Sequence, residues 1–298
     1  MTFDQRLADA ARLVEARLAG MLDGAAAQGV PPRLIAALRH ATLGGGKRLR
    51  PFLVLESAGL FDVAPQDALP AAAAVECLHC YSLAHDDLPA MDNDDMRRGQ
   101  PTVHKAFDQW TAILVGDALQ AAAFMELARP QAHADASVRN ELVAGLAKAA
   151  GLGGLIGGQY LDLEADKLGL PATPSVAHIE RLQAMKTGAL IGFACEAGAI
   201  LGRAAPDVRR ALMVYAERLG AAFQIADDLL DAEGDAAAMG KAARKDAGKA
   251  TLVALLGLPA ARARLATLEA EALAALAPFG AKADGLRAAA QFVVRREK

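Results

Sequence analysis

The chain has 298 residues, of which 54% are hydrophobic and 22% charged, as in a soluble globular protein that can bury a sizeable core. A net charge of -3 and an aromatic content of only 4% argue against nucleic-acid binding, which needs a basic surface interleaved with aromatic side chains. The three cysteines are too few, and odd in number, for a disulfide framework.

Helices dominate the predicted structure. Apolar residues recur at spacings of three and four, and the abundance of Ala, Leu, Glu, Arg and Gln also favours helices, so we predict an all-α fold. The predicted helices are 3–22, 32–43, 51–60, 67–88, 104–128, 136–152, 154–166, 175–202, 207–231, 250–256, 259–277 and 284–296. The break at 232–248 is long, rich in small residues and lysine-bearing, and we interpret it as a lid.

The amino-terminal residues do not have the pattern of a signal peptide, because Asp4, Arg6 and Asp9 occupy the stretch that should be apolar. No uncharged apolar run approaches the ~20 residues that a membrane span requires. The longest apolar runs contain charged residues such as Asp117 and Lys186. We therefore predict a cytoplasmic protein without a membrane span.

A glycine turn at residues 44–46 is followed by three basic residues, Lys47, Arg48 and Arg50. The stretch is not a P-loop, because Ala41 replaces the first glycine and Arg48 stands where Ser or Thr is required. Surface charge explains any one of these residues alone. Their joint significance depends on the acidic clusters further along the chain.

The first acidic cluster consists of Asp86, Asp87 and Asp92, within the stretch H-D-D-L-P-A-M-D-N-D-D. Its surroundings are apolar, where unpaired carboxylates are costly to bury, so a cation is expected opposite them. Mg²⁺ is the obvious candidate, since it prefers hard oxygen ligands and often shares them with substrate phosphates. We predict that Pro89 ends the helix and that the chain curls to return Asp92 toward Asp86. The alternative is a solvated helix end.

The second acidic cluster consists of Asp227, Asp228 and Asp231, within F-Q-I-A-D-D-L-L-D. Spacings of three and four residues place these carboxylates on one face of a helix. Each cluster alone offers too few ligands to close the shell of a cation, which indicates a metal shared with phosphate oxygens. The basic residues that could hold two diphosphate groups are Lys47, Arg48, Arg50, Arg97, Arg98, Lys186, Lys241, Lys245 and Lys249.

Two other patterns are interpreted as structural. Cys77 and Cys80 resemble part of a zinc or redox motif, but the sequence shows neither the further ligands nor a βαβ context, so buried helix cysteines are expected. The glycine pairs at 153–154 and 157–158 recur at four-residue spacing, which favours close packing of a helix against its neighbour.

Five motifs resemble those of the trans-isoprenyl diphosphate synthases, most closely those of the bacterial farnesyl diphosphate synthases. In family order they are G-G-K-R-L-R-P at 45–51, V-E-C-L-H-C-Y-S-L-A-H-D-D-L-P-A-M-D-N-D-D-M-R-R-G at 75–99, G-G-Q-Y-L-D-L at 157–163, M-K-T-G-A-L at 185–190 and F-Q-I-A-D-D-L-L-D at 223–231. The resemblance, from about residue 30 to the last helix, implies the isoprenoid synthase fold. This fold is an all-α helix bundle around a central active-site cavity, here a single domain 1–298 in a homodimer.

The resemblance also implies a reaction and the residues that perform it. Three Mg²⁺ ions would bridge an allylic diphosphate and the carboxylates of Asp86, Asp87, Asp92, Asp227, Asp228 and Asp231. The residues that match contacts with the allylic substrate are Arg97, Lys186, Thr187, Gln224 and Lys241. Those that match contacts with isopentenyl diphosphate are Lys47, Arg50, His79 and Arg98. Loss of diphosphate would create an allylic cation, which the double bond of isopentenyl diphosphate attacks while the lid excludes water.

Product length is predicted from the residues before Asp86. Tyr81 precedes Asp86 by five residues, roughly 7 Å along a helix. In the enzymes that the chain resembles, an aromatic residue at this position closes the pocket at fifteen carbons, whereas Ser82 is too small to block a longer product. We therefore predict farnesyl diphosphate, formed through dimethylallyl and then geranyl diphosphate. The alternative for Tyr81 is ordinary helix packing.

The chain departs from the family pattern in two places. Arg244 replaces a glycine of the lid pattern, and Leu252-Val253 replaces the usual Tyr-Pro. The resemblance therefore does not predict the conformation of the lid. The alternatives are a geranylgeranyl diphosphate synthase, a terpene cyclase and a non-catalytic subunit of a heteromeric synthase. A cyclase should carry a second metal motif that neither Asn93 nor Asn140 begins. A non-catalytic subunit should lack some of the metal or diphosphate ligands, whereas this sequence retains them.

Overall fold

The computed structural model describes residues 1–238 and 251–295 of the chain. Its α-helices are α1 Phe3–Ala27, α2 Pro32–Leu43, α3 Leu49–Gly59, α4 Pro65–Asp86, α5 Val103–Ala106, α6 Gln109–Ala128, α7 Ala136–Ala150, α8 Leu155–Leu168, α9 Val176–Gln183, α10 Ala189–Leu201, α11 Pro206–Ala238, α12 Leu252–Leu256, α13 Leu258–Ala275 and α14 Asp284–Arg295. A π-helical turn, Ala184–Gly188, joins α9 to α10, and a 3-10 helix, Ala277–Ala283, precedes α14. The prediction of an all-α protein is confirmed.

One element that the sequence pattern did not predict is a two-stranded antiparallel hairpin. Its strands, β1 Met96–Arg97 and β2 Gln100–Pro101, are too short for an alternating pattern to be recognised. Arg98 and Gly99 form the turn, with φ angles of +52° and +75°. Two successive positive φ angles are typical of a type I′ turn, whose twist matches that of a hairpin. The hairpin places two arginines directly after the first acidic cluster.

The described residues divide into two compact units. The first unit consists of Met1–Leu146 and Ile200–Arg203, and the second of Ala147–Ala199 and the described part of Ala204–Lys298. The glycine turn and the first acidic cluster belong to the first unit, whereas the second acidic cluster belongs to the second. The predicted single domain 1–298 stays a prediction.

Each unit is built around one long helix. In the first unit, residues 68–78 of α4 are all buried, and α1, α3 and α6 pack around this helix. In the second unit, α11 packs against α13 and α14. Tyr215 of α11 is fully buried, and its hydroxyl group donates a hydrogen bond to the main-chain oxygen of Leu286 in α14 (2.7 Å). The first acidic cluster thus begins at the end of a well-packed helix, and the second lies within another.

The predicted lid 232–248 is described only in part. Helix α11 continues to Ala238, so the predicted break begins too early, because Ala-rich sequence favours continuation of the helix. Residues 239–250 lie outside the described part of the chain. The predictions made for Lys241, Arg244, Lys245 and Lys249 concern residues of this segment and so also lie outside the described part.

By length and composition alone, two helical stretches could cross a membrane, Gln109–Ala128 and Val176–Leu201. However, 44% and 61% of these windows are buried inside the protein, and the core helix of a soluble protein passes the same test. The first stretch contains Asp117 and the second contains Lys186, which interrupt the apolar sequence. These stretches are therefore weak evidence for a membrane protein.

Candidate active site

The first acidic cluster lies where α4 gives way to a tight loop. The helix ends at Asp86, and the chain then reverses so that the main-chain N–H of Asp92 donates a hydrogen bond to the main-chain oxygen of Asp86 (2.9 Å). The N–H of Asp94 donates to the main-chain oxygen of Asp87 in the same way (3.2 Å). Pro89 lies inside this loop, where it cannot continue the helix. The predicted return of Asp92 toward Asp86 is confirmed.

The side chain of Asp87 is bonded to the hairpin that follows the acidic loop. The side chain is only 4% exposed, and Nε of Arg97 in β1 donates a hydrogen bond to Oδ1 of Asp87 (2.6 Å). The same guanidinium group also contacts Asp94 (Nη2–Oδ2 3.4 Å). Burial raises the pKa of Asp87, and the charge of Arg97 opposes this effect. Arg97 thus ties the hairpin to the acidic loop, and the metal role of Asp87 stays a prediction.

The second arginine of the hairpin, Arg98, forms a basic cluster with Arg50 and His79. Nη2 of Arg98 lies 3.3 Å from Nε2 of His79, and Nη1 of Arg50 lies 3.4 Å from the same atom. Because an arginine only donates, the shared Nε2 must accept. Burial lowers the pKa of His79 well below its usual value, and the charges of Arg50 and Arg98 lower it further. A neutral imidazole therefore aligns two guanidinium groups, and three residues predicted to hold isopentenyl diphosphate lie together.

The glycine turn makes room for the basic cluster. Gly46 has a φ of +122°, and a Cβ atom there would lie 2.6 Å from the guanidinium carbon of Arg98. Arg98 also donates from Nη1 to the main-chain oxygen of Gly45 (2.5 Å). Only glycine tolerates both that backbone conformation and that close approach. Lys47, the next residue along the chain, is exposed.

Arg48 does not belong with the anion-binding residues. Only 3% of Arg48 is exposed, and its guanidinium group donates to Glu76 (2.5 Å), to Glu15 (3.0 Å) and to the main-chain oxygen of Thr42 (2.6 Å). Burial acts to lower the pKa of Arg48, but its carboxylate partners, Glu76 above all, raise it overall. The expectation that every basic residue of the glycine turn faces a diphosphate is wrong for Arg48, because two glutamates already neutralise it inside the protein.

The second acidic cluster lies on α11, as predicted. Asp228 accepts a hydrogen bond from Nε2 of Gln183 (3.2 Å) and another from the main-chain N–H of Leu252 at the start of α12. Burial is the main cause that raises the pKa of Asp228 to about 6, and the charges of Asp227 and Asp231 add to it. The middle carboxylate of each cluster is thus bonded to the protein, and the metal role of Asp228 also stays a prediction.

Lys186 and Thr187 lie in the π-helical turn of the second unit. Nζ of Lys186 donates to Oδ2 of Asp162 in α8 (2.5 Å). A Cβ atom at Gly158 would lie 2.2 Å from the main-chain nitrogen of Lys186, so α8 and the turn are in contact, and the predicted close packing at 157–158 is confirmed. The sequence reasoning gave Asp162 no role. Its position four residues after Gly158, on the same helix face, was the available signal.

The other predicted residues are partly or fully enclosed. Gln224 is half-buried on α11, one turn before Asp228. Tyr81 is half-buried on α4 and packs edge-to-face against His85 (centroids 5.1 Å apart). Ser82 is buried, and its hydroxyl group donates to the main-chain oxygen of His79 (2.9 Å). The hydroxyl group of Ser82 is therefore occupied within its own helix.

The carboxylates fit a divalent cation whose shell is completed by other ligands. Within the ranges that the structure describes, no three His, Cys, Asp or Glu side chains are grouped closely enough to hold a metal ion. The loop nevertheless bonds the main chains of Asp86 and Asp92 to each other, and Asp227 and Asp231 lie one helical turn apart on α11, so each cluster offers two carboxylates with hard oxygen donors. Such pairs suit Mg²⁺, which keeps several water or phosphate ligands.

Comparisons with known proteins agree with these motifs. A family model described as Polyprenyl synthetase matches residues 31–274. The chain is 41% identical to the farnesyl diphosphate synthase of Escherichia coli (strain K12) over 100% of both chains, and 39% identical to that of Haemophilus influenzae over 99% of both. Among solved structures, an FPP/GFPP synthase from Zymomonas mobilis is similar, with a TM-score of 0.89 and 47% identity over 98% of this chain and 99% of that chain.

Proposed function

This chain belongs to the polyprenyl synthetase family, and from that membership we propose that it is a Mg²⁺-dependent prenyltransferase. Its all-α structure is the isoprenoid synthase fold. The proposed reaction joins isopentenyl diphosphate head-to-tail to dimethylallyl diphosphate and then to geranyl diphosphate, with release of diphosphate at each step. The proposed product is farnesyl diphosphate, which gives the full-length relatives from Escherichia coli and Haemophilus influenzae their name.

The observation that best supports this proposal is the Arg97-Arg98 hairpin. Arg97 is bonded to the acidic loop through Asp87, and Arg98 is bonded to the basic cluster through His79. One short element of the first unit therefore joins a group of carboxylates to a group of cations. Carboxylates suit a diphosphate that arrives with Mg²⁺, and cations suit one that arrives without it. A condensing prenyltransferase has to hold two diphosphates in these two different ways.

The carboxylates that we propose as Mg²⁺ ligands are the outer ones of the two clusters: Asp86, Asp92, Asp227 and Asp231. The middle carboxylates, Asp87 and Asp228, are held by protein hydrogen bonds and so position the hairpin and the start of α12. When bound, the metal, three ions by resemblance to the family, would supply positive charge to the departing diphosphate.

Asp228→Asn should separate the two possible roles of this carboxylate. Asparagine can still accept from the N–H of Leu252 and pair with the amide of Gln183, so kcat should fall less than about tenfold. Asp227→Asn, the matched change in a proposed ligand, should cost far more activity and should raise the Mg²⁺ concentration that gives half-maximal activity. Steady-state kinetics across a Mg²⁺ titration measure both. Equal losses in the two variants would make Asp228 a metal ligand.

The second substrate is proposed to bind the basic cluster. Arg50 and Arg98, with Lys47, would donate to the diphosphate of isopentenyl diphosphate, while neutral His79 keeps the two guanidinium groups aligned. The double bond of this substrate attacks C1 of the allylic substrate as the C1–oxygen bond breaks, and a carbon–carbon bond forms. The proton then lost from C2 of the isopentenyl unit goes to the released diphosphate.

The π-helical turn is proposed to face the allylic cation. Lys186 would donate to the leaving diphosphate from a position that Asp162 holds. A π-helical turn departs from the regular α-helical hydrogen-bond pattern, so the main-chain oxygens of Lys186 and Thr187 can face a developing positive charge. The side-chain oxygen of Gln224 is proposed for the same role, and Lys241 for contact with the same diphosphate.

The proposal is tested with the purified protein, Mg²⁺, labelled isopentenyl diphosphate and one allylic starter at a time. Chromatography of the dephosphorylated products should show farnesol with either dimethylallyl or geranyl diphosphate as starter. EDTA should abolish product formation. No elongation with any starter would overturn the proposed activity, whereas a main product of twenty or more carbons would overturn only the proposed product.

Tyr81→Ala should lengthen the product, because the phenol ring is proposed to close the pocket beyond fifteen carbons. The main product should shift to twenty carbons or more in the same chromatographic assay. Tyr160→Ala is the matched control, since this tyrosine is exposed on α8 and should leave product length unchanged. An unchanged chain length in Tyr81→Ala would refute the role of Tyr81 and favour ordinary helix packing.

We further propose that the protein is a cytoplasmic homodimer without a membrane span. Helix α6 exposes Trp110, Leu114 and Met125, which follow one face of the helix. Exposed apolar faces of this kind mark interaction surfaces, and a second copy of α6 related by two-fold symmetry would cover this one. Sedimentation of the purified protein should then give about twice the chain mass of 30.9 kDa.

A further inference from the structure

We propose that Tyr81 limits product length because three positioning residues hold its ring in one orientation. They are His85 on α4, and Gly116 and Gln120 on α6. The inference rests on the proposed function, since only a chain-elongating enzyme makes a product whose length Tyr81 can limit. All four residues belong to the first unit.

His85 supports the ring of Tyr81 from one helical turn further along α4. The two rings meet edge-to-face, with centroids 5.1 Å apart and an interplanar angle of 76°. The imidazole is itself anchored, because its Nε2 lies 2.9 Å from the main-chain oxygen of Ile113 in α6. A carbonyl oxygen only accepts, so Nε2 carries the proton. The ring of Tyr81 thus packs against a side chain that is fixed to the neighbouring helix.

Gly116 allows this anchor to form. A Cβ atom at Gly116 would lie 2.0 Å from Nε2 and 2.3 Å from Cδ2 of His85. Atoms cannot approach so closely, so any larger residue would displace the imidazole and break its hydrogen bond to Ile113. Glycine is unfavourable in a helix interior relative to alanine. The contact with His85 explains why glycine is nevertheless present here.

Gln120 holds the hydroxyl end of the Tyr81 side chain. It lies four residues after Gly116, so both residues are on the same face of α6. Burial and the charges of Asp86 and Asp117 raise the pKa of Tyr81, whereas its side-chain hydrogen bond with Gln120 lowers it. The phenol is therefore held along its ring by His85 and at its oxygen by Gln120.

The orientation of the ring matters as much as its size. A tyrosine side chain has a few staggered rotamers, and a change of χ1 moves the whole ring. A ring that leaves its rotamer no longer fills the space that a longer hydrocarbon chain would enter. If Tyr81 acted through bulk alone, substitutions of the three positioning residues that leave Tyr81 in place would not alter the product.

The ratio of twenty-carbon to fifteen-carbon product, measured with geranyl diphosphate as starter, tests this inference. Gly116→Ala displaces His85, and Gln120→Met keeps the side-chain length but loses the hydrogen bond. Each should raise the ratio about fivefold or more, equivalent to about 1 kcal/mol. Gln109→Met makes the same change at an exposed position of α6 and should leave the ratio unaltered. Ratios equal to this control in both test variants would overturn the inference.

A double-mutant cycle isolates the hydrogen bond. Tyr81→Phe should raise the ratio by the same factor as Gln120→Met, and the double variant should show no further increase, because both changes remove one interaction. Factors that multiply would show that Gln120 acts independently of the hydroxyl group and would overturn its positioning role. Unaltered ratios in an enzyme that still makes farnesyl diphosphate would leave the proposed function standing. Absence of elongation in the unmutated protein would instead overturn that function.

Discussion

Asp86→Ala should lower kcat for prenyl transfer by about a thousandfold or more, equivalent to about 4 kcal/mol of transition-state stabilisation. Asp86 is the last residue of the buried helix α4, and the loop bonds the backbone of Asp92 directly to it (2.9 Å). Without Asp86, the proposed carboxylate pair becomes a single ligand, which holds Mg²⁺ weakly and leaves the charge of the departing diphosphate without compensation. Steady-state kinetics at saturating substrates and Mg²⁺ measure the loss.

Asp95→Ala is the matched control for this change. Asp95 belongs to the same acidic stretch, but its side chain is exposed and paired with Lys105 (2.9 Å). Its removal should alter kcat by no more than about twofold, because an exposed ion pair contributes little. Circular dichroism should show the same helix content in both variants. Full activity of Asp86→Ala would mean that the carboxylate has no part in the chemistry and would overturn its proposed role as a Mg²⁺ ligand.

The geometry of the acidic clusters could be predicted because it is determined locally. Pro89 cannot continue a helix, and a tight reversal is the simplest way to bring Asp92 back to Asp86 within six residues. The main-chain hydrogen bond between these two residues follows that expectation. The second cluster depends only on helical spacing, which holds because α11 runs unbroken through Asp227 and Asp231.

The hydrogen-bond partners of the middle carboxylates, Asp87 and Asp228, could not be predicted in the same way. Successive residues of a helix point about 100° apart, so the side chains of Asp87 and Asp228 take a different direction from those of the residues directly before them. The spacing predicts this direction but does not identify the residue that donates a hydrogen bond to the carboxylate. Arg97 lies in a hairpin too short to leave a periodic signal, and Gln183 is 45 residues from Asp228.

The structural role of Arg48 among the basic residues could not be predicted from the sequence either. In the sequence it resembles its neighbours Lys47 and Arg50, and no local pattern sets it apart. Its carboxylate partners, Glu15 and Glu76, lie 33 and 28 residues away along the chain, so only tertiary packing brings them together. Long-range pairs of this kind decide which cation of a basic run is structural and which is available to a ligand.

Glu76→Leu should lower the free energy of unfolding of the first unit by about 3 kcal/mol, because it leaves the guanidinium group of Arg48 buried without its principal partner. The side chains of Arg48 and Glu76 are 0% and 2% exposed. Urea unfolding can be followed by the fluorescence of Trp110, which is the single tryptophan and belongs to the first unit. Asp23→Leu, which removes the exposed partner of Arg39, is the control and should cost less than about 1 kcal/mol.

The double variant Arg48→Met with Glu76→Leu should recover most of the stability lost in Glu76→Leu, since apolar side chains of similar volume replace a buried ion pair at little cost. A double variant as unstable as the single one would show that the loss comes from packing around Glu76 rather than from the uncompensated charge of Arg48.

Arg48 also precedes α3 in a left-handed conformation (φ +51°), immediately between Lys47 and the helix that carries Arg50. Glu76→Leu should therefore raise the KM for isopentenyl diphosphate more than that for geranyl diphosphate, because the loosened turn carries the proposed ligands of only the first substrate.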